Sequence, residues 1–352
     1  MLKSSIINSL NDAFNNNKIL IDTFKYILNI ENEEYLNKYK AKSYAIKQMR
    51  FGNTMQLFAP LYLSNTCKNV CTYCGFSVDN KIARKILNPT EIEVEARVLQ
   101  QQGFEHILIV TGEDNSEVGL AYLLKAIYIL KKYFSIISVE VQPLETEDYI
   151  QLKDAGVHTI IVYQETYNKE TYLKVHPKGK KRNFEYRLDT PDRIGDAGIH
   201  KIGLGILIGL HDNWQNDLID CALHINYLQK KYWQSRFSIS FPRLRPFEGE
   251  FEPACTITEF ELKKIIIAFR ICFPDIDIIL STRERPEFRN EVLELGITTM
   301  SAGSKTSPGA YQEQNNLEQF AVNDNRTLAE IVSLLKLNNI EPVFKDWDYC
   351  LA

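Results

Sequence analysis

The chain has 352 residues, of which 45% are hydrophobic and 24% charged, a composition typical of a globular enzyme with one large domain or two ordinary ones. A net charge of −4 gives no basic surface for nucleic acid, and the longest apolar run, residues 202–210, is too short to span a membrane. No secretion signal is recognisable in residues 1–17 and the cysteine count of seven is odd, so we expect a cytoplasmic protein without a disulfide framework.

Helices and strands alternate along most of the chain. Apolar residues at helical spacing predict an N-terminal helical extension in residues 1–50. Short apolar stretches bounded by turn residues then predict eight strands, at residues 57–63, 106–110, 136–141, 157–162, 201–208, 237–241, 276–280 and 297–300. Helices are predicted between them, with starts marked by Thr90-x-x-Glu93, Thr146, Thr190-Pro191 and Thr258-x-x-Glu261.

Strands that alternate with helices predict a parallel sheet, and eight such units within residues 51–304 match a closed (βα)8 TIM-type barrel. An open doubly wound sheet is the competing architecture, but no Gly-x-Gly-x-x-Gly turn follows the first strand. Beyond residue 304 the alternation stops. We expect a polar, flexible loop at 305–325 and a helix from Thr327-x-x-Glu330 to about Asn338, packed on the barrel as a C-terminal extension.

Three cysteines lie directly after the first predicted strand, in the spacing Cys-x3-Cys-x2-Cys. Cys67, Cys71 and Cys74 have no histidine nearby, and the nearest is His106. Three thiolates without a fourth local ligand cannot close a tetrahedral zinc site. They can hold three irons of a cubic iron–sulfur cluster and leave the fourth iron open for a small molecule. The motif therefore indicates a catalytic or ligand-binding role rather than a purely structural one.

The motif, with Tyr73 before its last cysteine, resembles that of the radical S-adenosylmethionine (SAM) superfamily. Gly75 and Phe76 follow, as in the subgroup that includes biotin synthase and the aromatic amino acid lyases. The resemblance implies a [4Fe–4S] cluster on the three cysteines, with the open iron chelated by the amino and carboxylate groups of SAM. One electron from the cluster then cleaves SAM to a 5′-deoxyadenosyl radical. Tyr73 is implied to lie close to the adenine.

Polar residues follow several predicted strand ends, which in a barrel face one mouth. The resemblance implies that Gly112 and Glu113 hold the SAM amino group and that Gln164 and Thr166 bind its ribose. It also implies that Arg187 meets the SAM carboxylate, for which a guanidinium fork is suited. The alternative interpretations are a solvated turn, a polar strand end and an exposed arginine at a helix start.

Ser281 and Arg283 follow the seventh predicted strand. In the aromatic amino acid lyases the matching arginine anchors the substrate carboxylate, and the serine lies in the same pocket. The alternative for Arg283 is an ion pair with Glu284 or with another neighbouring residue. Arg243 and Arg245 are candidates for a second anionic group, or they only line the rim of the mouth.

Other polar and sulfur-containing residues are interpreted as structural. The basic run at 178–182 is typical of a solvated loop. The remaining residues in this class are assigned to the core, the rim or the surface, and they are His106, His158, His200, Cys221, Cys255, Cys272 and Cys350.

Across residues 50–350 the chain resembles the radical SAM tyrosine lyases that supply 2-iminoacetate (dehydroglycine) for the thiazole moiety of thiamine. The resemblance implies that L-tyrosine loses a hydrogen atom and that its Cα–Cβ bond breaks, giving 4-cresol and 2-iminoacetate. It further implies two protein partners, an electron donor such as a flavodoxin and the thiazole synthase of the same pathway, and no contact with nucleic acid or membrane.

Three alternatives stay open. The tyrosine lyase of hydrogenase cofactor assembly carries a second C-terminal cluster motif, whereas here only Cys350 follows Cys272. A tryptophan lyase would differ in its substrate pocket. A non-catalytic iron–sulfur scaffold would release no 5′-deoxyadenosine from SAM.

Overall fold

The structure is a computed structural model and describes residues 18–244, 251–313 and 317–345. Residues 1–17 of the N-terminal extension, Arg245 and Cys350 therefore lie outside the described residues. Within the described ranges, no helix combines the length and the hydropathy that a membrane span requires.

Eight parallel strands form a closed barrel, which confirms the predicted TIM-type fold. They are β1 Thr54–Ser64, β2 His106–Thr111, β3 Ile136–Glu140, β4 Thr159–Glu165, β5 Lys201–Ile206, β6 Arg236–Ser240, β7 Asp277–Leu280 and β8 Thr299–Ser301. Each strand pairs with the next, and β1 pairs with both β2 and β8, so the open sheet is excluded. A short ninth strand, β9 Glu341–Val343, pairs in parallel with the start of β1 and was not predicted.

Helices cover the outside of the barrel. They are α1 Lys18–Leu28, α2 Glu33–Phe51, α3 Pro89–Gln101, α4 Leu120–Leu130, α5 Thr146–Asp154, α6 Lys169–Val175, α7 Phe184–Leu188, α8 Thr190–Asp196, α9 Trp214–Lys231, α10 Glu259–Cys272, α11 Pro286–Glu291 and α12 Leu328–Leu337. The predicted capping boxes of α10 and α12 are confirmed. The helices α6 and α7 were not predicted.

The predicted capping box of α3 is wrong by two residues. Asn88, not Thr90, is the N-cap, and its side chain accepts hydrogen bonds from the backbone N–H groups of Thr90 and Glu91. The Glu91 carboxylate accepts the N–H of Asn88 in return. Pro89 occupies the first turn, where its fixed φ suits a helix start and its missing N–H costs nothing.

Alternate residues of the strands face the helices and the barrel interior. In β1, Leu57, Leu61 and Leu63 are fully buried against the helical layer, whereas Phe58 and Tyr62 belong to a smaller cluster inside the barrel. The N-terminal helices join the outer layer, because the Phe24 ring of α1 packs on a ring of α10 with centroids 5.0 Å apart.

A C-terminal segment, described at residues 304–313 and 317–324, crosses the end of the barrel at which the strands terminate. The buried Glu95 carboxylate accepts the backbone N–H groups of Tyr311 and Gln312 at 3.2 and 2.8 Å. The Tyr311 hydroxyl donates to the Pro60 carbonyl at 2.7 Å. The expectation of a flexible loop is therefore wrong for the described part of this segment, because its backbone is bonded to the barrel.

Candidate active site

The loop between β1 and α3 brings the three cysteines to one cavity. The loop is shaped by its own hydrogen bonds, in which the N–H of Cys71 donates to the Ser77 hydroxyl at 3.2 Å and that of Cys74 donates to the Cys71 carbonyl at 3.2 Å. Burial raises the pKa of Cys67 to about 11 and raises the pKa values of Cys71 and Cys74 as well. The thiols therefore need a bound cation to become thiolates.

These residues fit a [4Fe–4S] cluster. Within the described ranges no three His, Cys, Asp or Glu side chains converge as the ligands of one metal ion. The three thiols line one cavity, where each thiolate of a cubic cluster would bind a different iron. The end of β2 lies directly against this loop, since a Cβ on Gly112 would meet the Thr66 carbonyl oxygen at 2.3 Å.

Glu113 and Arg187, both predicted to bind SAM, form a buried ion pair of 2.9 Å beside the thiols. Asn69 donates to the second Glu113 oxygen at 2.8 Å, and the Arg187 Nε donates to the Tyr163 carbonyl at 2.5 Å. Burial acts to raise the pKa of Glu113, but the nearby cations Arg187 and Lys181 outweigh it and lower that pKa. An ionised acid and an ionised base thus stand side by side, as a zwitterionic ligand requires.

The structure does not bring Gln164 and Thr166 to the cavity lining. The β4 strand alternates, so Tyr163 and Glu165 line the cavity whereas Gln164 does not. The register shifts between Tyr163 and Glu165, and Glu165 has a φ of +71°. Thr166 is fully buried, and its hydroxyl accepts the N–H of Asn168 at 3.1 Å.

Lys181 belongs to the site although the sequence indicated a solvated basic run. Its side chain is 10% exposed and its ammonium binds Glu165 at 2.7 Å. The ammonium also lies 5.8 Å from the centre of the Tyr73 ring, and the Tyr73 hydroxyl shares a 2.7 Å hydrogen bond with His176. A 3-10 turn at Lys180–Arg182 rotates one residue of the run inward, a direction that charge pattern alone does not reveal.

A second cavity adjoins the first, because both are lined by Cys74, Tyr163, Glu165 and Lys181. Aromatic rings make up much of its wall, and they are Phe58, Tyr62, Tyr73, Tyr163 and Phe320.

Ser281 and Arg283 lie in this second cavity. The expected alternative of an Arg283–Glu284 pair is wrong, because the buried Glu284 carboxylate is bound by Arg243, with one hydrogen bond of 3.0 Å from Nε and a second from Nη2. No salt bridge to Arg283 occurs in the part of the chain that the structure describes, and its guanidinium lies 3.4 Å from the centre of the Phe320 ring. Arg283 is thus available to a ligand, whereas Arg243 is engaged.

Glu140, at the carboxyl end of β3, lines both cavities and was not selected from the sequence. Burial and the nearby Glu165 raise the pKa of Glu140 to about 7, with Arg283 and Lys181 opposing. The feature that could have identified Glu140 from the sequence is its position at the end of a strand. The predicted third strand ran to residue 141, however, which put Glu140 inside the strand.

Comparison with known proteins gives two family matches along the chain. Residues 61–222 match the radical SAM superfamily, and residues 240–341 match the Biotin and Thiamin Synthesis associated domain. The second match contains Ser281, Arg283 and the segment that crosses the barrel mouth. Most residues that line the two joined cavities therefore lie in matched regions.

Two relatives and one solved structure resemble nearly the whole chain. The 2-iminoacetate synthase of Escherichia coli (strain K12) is 46% identical over 341 residues, covering 97% of this chain and 90% of the relative. That of Salmonella typhimurium is 48% identical over 320 residues, covering 91% and 85%. The crystal structure of HydG, a maturase of the [FeFe]-hydrogenase, superposes with a TM-score of 0.91 at 32% identity, covering all of this chain and 78% of that one.

Proposed function

Because the chain belongs to the 2-iminoacetate synthase family of radical SAM lyases, we propose that it cleaves the Cα–Cβ bond of L-tyrosine. The products are 4-cresol and 2-iminoacetate, the latter destined for the thiazole moiety of thiamine. The observation that carries this proposal is the junction of a thiol-lined cavity with an aromatic cavity that contains an available guanidinium. The identity of 46–48% to 2-iminoacetate synthases, against 32% to HydG, favours this function over a hydrogenase-type maturase.

In the first cavity, Cys67, Cys71 and Cys74 would hold the [4Fe–4S] cluster. When bound, the cluster and SAM supply a carbon radical that can take a hydrogen atom from an amino acid. Glu113 and Arg187 would receive the amino and carboxylate groups of SAM. Exchanging their mutual ion pair for a zwitterion leaves neither buried charge without a partner, which keeps the cost of binding low.

Tyr73 and Gly112 complete the proposed SAM site. Tyr73 would lie against the adenine, and its hydroxyl is fixed by His176. Burial, with help from Lys181 and Arg187, lowers the pKa of His176 far below its usual value, so that the imidazole is neutral and can accept this hydrogen bond. The backbone of Gly112 would approach the methionyl group.

In the second cavity, Arg283 would bind the tyrosine carboxylate through its planar fork, with the Ser281 hydroxyl in the same pocket. The aromatic wall would receive the phenol ring. This binding mode fixes the α-carbon in relation to the first cavity and keeps water away from the reacting bond.

The proposed compartment and protein partners are those that the iron–sulfur and SAM chemistry requires. The six cysteines of the described residues are all free, which agrees with a reducing compartment, and we place the protein in the cytoplasm. An electron donor such as a flavodoxin would supply the reducing electron, and the thiazole synthase would take up the product.

We propose that the chain has three parts, an N-terminal helical extension (1–50), the barrel (51–304) and a C-terminal extension packed on the barrel (305–352).

Replacement of Arg283 tests the substrate site. Arg283→Ala removes a charge-assisted contact worth about 3 kcal/mol or more, so tyrosine affinity should fall about 100-fold while SAM binding stays intact. The measurement is the ratio of 4-cresol to 5′-deoxyadenosine in anaerobic reactions at several tyrosine concentrations. That ratio should collapse in the variant, and Arg283→Lys should restore little of it, since an ammonium lacks the fork.

Arg285→Ala is the matched control, because Arg285 is an exposed arginine paired with Glu259 on the surface. It should leave the product ratio unchanged. If wild-type protein makes 5′-deoxyadenosine but no 4-cresol, the proposed reaction is wrong. If Arg283→Ala behaves like Arg285→Ala, the reaction stands but the assignment of Arg283 does not.

A further inference from the structure

The second cavity is lined by a carboxylate, that of Glu140, as well as by the guanidinium of Arg283, and both are available to a ligand. Glu140 reaches the cavity from the end of β3, and no hydrogen bond or salt bridge satisfies its carboxylate within the described residues. A half-buried carboxylate that faces a largely aromatic cavity without a partner is poorly solvated, so it indicates a place where a cation binds.

The other acids around the mouth each have a basic partner. Glu113 is paired with Arg187, Glu165 with Lys181 and Glu284 with Arg243. Once these pairs are formed, the described lining of the second cavity keeps one acid and one base that face the same space, Glu140 and Arg283.

The barrel itself keeps these two side chains from closing on each other. Glu140 ends β3 and Arg283 follows β7, and these strands lie on opposite sides of an eight-stranded barrel. The Arg283 guanidinium is further held against the ring of Phe320. A ligand that carries an anion and a cation on one carbon would fill the gap between them, and an α-amino acid is such a ligand.

We propose that Glu140 binds the ammonium group of the tyrosine substrate, opposite Arg283, which binds its carboxylate. This inference rests on the proposed function and adds the second anchor of the substrate. Two anchors on opposite strands fix the α-carbon and so determine which face of the Cα–Cβ bond is turned toward the thiol-lined cavity. The site would take L-α-amino acids and discriminate against analogues that lack the amino group.

The electrostatics of the cavity agree with this role. The pKa of Glu140 is raised to about 7 by burial and by Glu165, so its carboxylate is poorly stabilised in the free protein. An ammonium placed beside it supplies the missing positive charge and keeps it ionised. The pair forms only when substrate binds, which gives binding a strong preference for the amino group.

The test compares two ligands on two variants. Tyrosine and 3-(4-hydroxyphenyl)propanoate, which lacks the amino group, are titrated anaerobically into SAM-loaded holoenzyme, and dissociation constants are measured by calorimetry. Glu140→Gln keeps the shape of the side chain but removes its charge. Tyrosine should bind at least tenfold more weakly to Glu140→Gln than to wild type, whereas the deaminated acid should bind both proteins alike. SAM affinity should not change.

Glu140→Asp keeps the charge on a shorter side chain and should retain a preference for tyrosine over the deaminated acid. Glu147→Gln, an exposed acid on the following helix, is the control and should bind both ligands as wild type does. Equal weakening of both ligands in Glu140→Gln would mean that Glu140 only shapes the cavity, and this would overturn the inference. Unchanged tyrosine affinity, or a loss of SAM affinity, would also overturn it.

Failure of the proposed function looks different. If wild-type holoenzyme binds SAM but shows no affinity for tyrosine, the substrate assignment is wrong whatever Glu140 does. If it binds tyrosine and only the amino-group preference is absent, the proposed function survives and the role of Glu140 does not.

Discussion

At the scale of single residues, the mouth of the barrel is organised by buried charges that neutralise one another. Lys181 is central, because its ammonium binds Glu165 while facing Cys71 and Glu113. Burial and Arg187 act to lower the pKa of Lys181, but Glu165, Cys71 and Glu113 outweigh them and raise it. The ammonium is therefore charged, and it offsets negative charge on the side where three thiolates would gather.

Removing this ammonium should destabilise the protein even before any cofactor is added. Lys181→Met would leave Glu165 buried without its partner, at a cost of about 3–5 kcal/mol in the free energy of unfolding. Lys180→Met, at the exposed neighbour in the same basic run, should change it by about 0.5 kcal/mol or less. Urea unfolding of the apoprotein measures both, and equal values would show that Lys181 is solvated.

Some residues of the site can be predicted from the sequence, and others cannot. Cys67, Cys71 and Cys74 follow from their spacing, and Arg283 follows from its place after a predicted strand, since barrel strand ends face one mouth. Lys181 could not be found, because its inward direction depends on one 3-10 turn among four similar basic residues. Gln164 does not line the cavity because β4 alternates and turns Tyr163 and Glu165 inward, and the sequence alone does not show which of the two faces points inward.

At the scale of elements, the C-terminal segment acts as a cover over the cysteine loop. The Gln319 carbonyl accepts the N–H of Gly75 at 3.3 Å, and its side-chain amide donates to the Cys74 sulfur at 3.7 Å while accepting from the Tyr62 hydroxyl at 2.8 Å. The fully buried Asp324 binds Arg289 and Arg326. Composition predicted flexibility here because these anchors are single hydrogen bonds and ion pairs, which leave no periodic pattern.

Loosening this cover should expose the cluster. Gln319→Ala deletes both side-chain hydrogen bonds, worth about 1 kcal/mol each, so local opening should become about tenfold or more easier. In reconstituted protein, a chelator should then remove iron about tenfold faster, as followed by the loss of visible absorbance. Gln312→Ala, at an exposed glutamine of the same segment, is the control. Equal rates for the two variants would show that the segment does not limit access.

At the scale of the whole molecule, the two ends of the barrel have different tasks. The mouth carries the candidate site, whereas the opposite end is closed by a polar cluster in which Lys201 of β5 binds Asp277 of β7 at 2.9 Å. The Thr298 hydroxyl donates to the same carboxylate at 2.9 Å, and His106 shares a 2.8 Å hydrogen bond with Ser138. The Lys201–Asp277 pair joins two strands that are not neighbours, so it stabilises the closed barrel rather than taking part in chemistry.

Disrupting this far end should reduce stability without changing the site. Asp277→Asn removes the buried carboxylate that Lys201 binds, and the free energy of unfolding at pH 7 should fall by about 3–5 kcal/mol. Asp275→Asn, two residues away in an exposed pair with Arg50, should cost about 1 kcal/mol or less. SAM binding per folded molecule should be the same in both variants and in wild type, since the substitution lies at the opposite end of the barrel.

The stability that Asp277→Asn loses should also depend on pH in a defined direction. Burial acts to raise the pKa of Asp277, but Lys201 and Arg236 outweigh it and lower that pKa below the usual value. A depressed pKa in the folded state means that the stabilisation is present above the unfolded-state pKa of about 3.9 and is lost as the pH falls through the folded-state pKa. The gap between wild type and Asp277→Asn in urea unfolding should therefore be full at pH 7 and shrink below about pH 4. A gap that is constant from pH 7 to pH 3 would show that Asp277 stabilises the barrel by shape or hydrogen bonding and not by its charge.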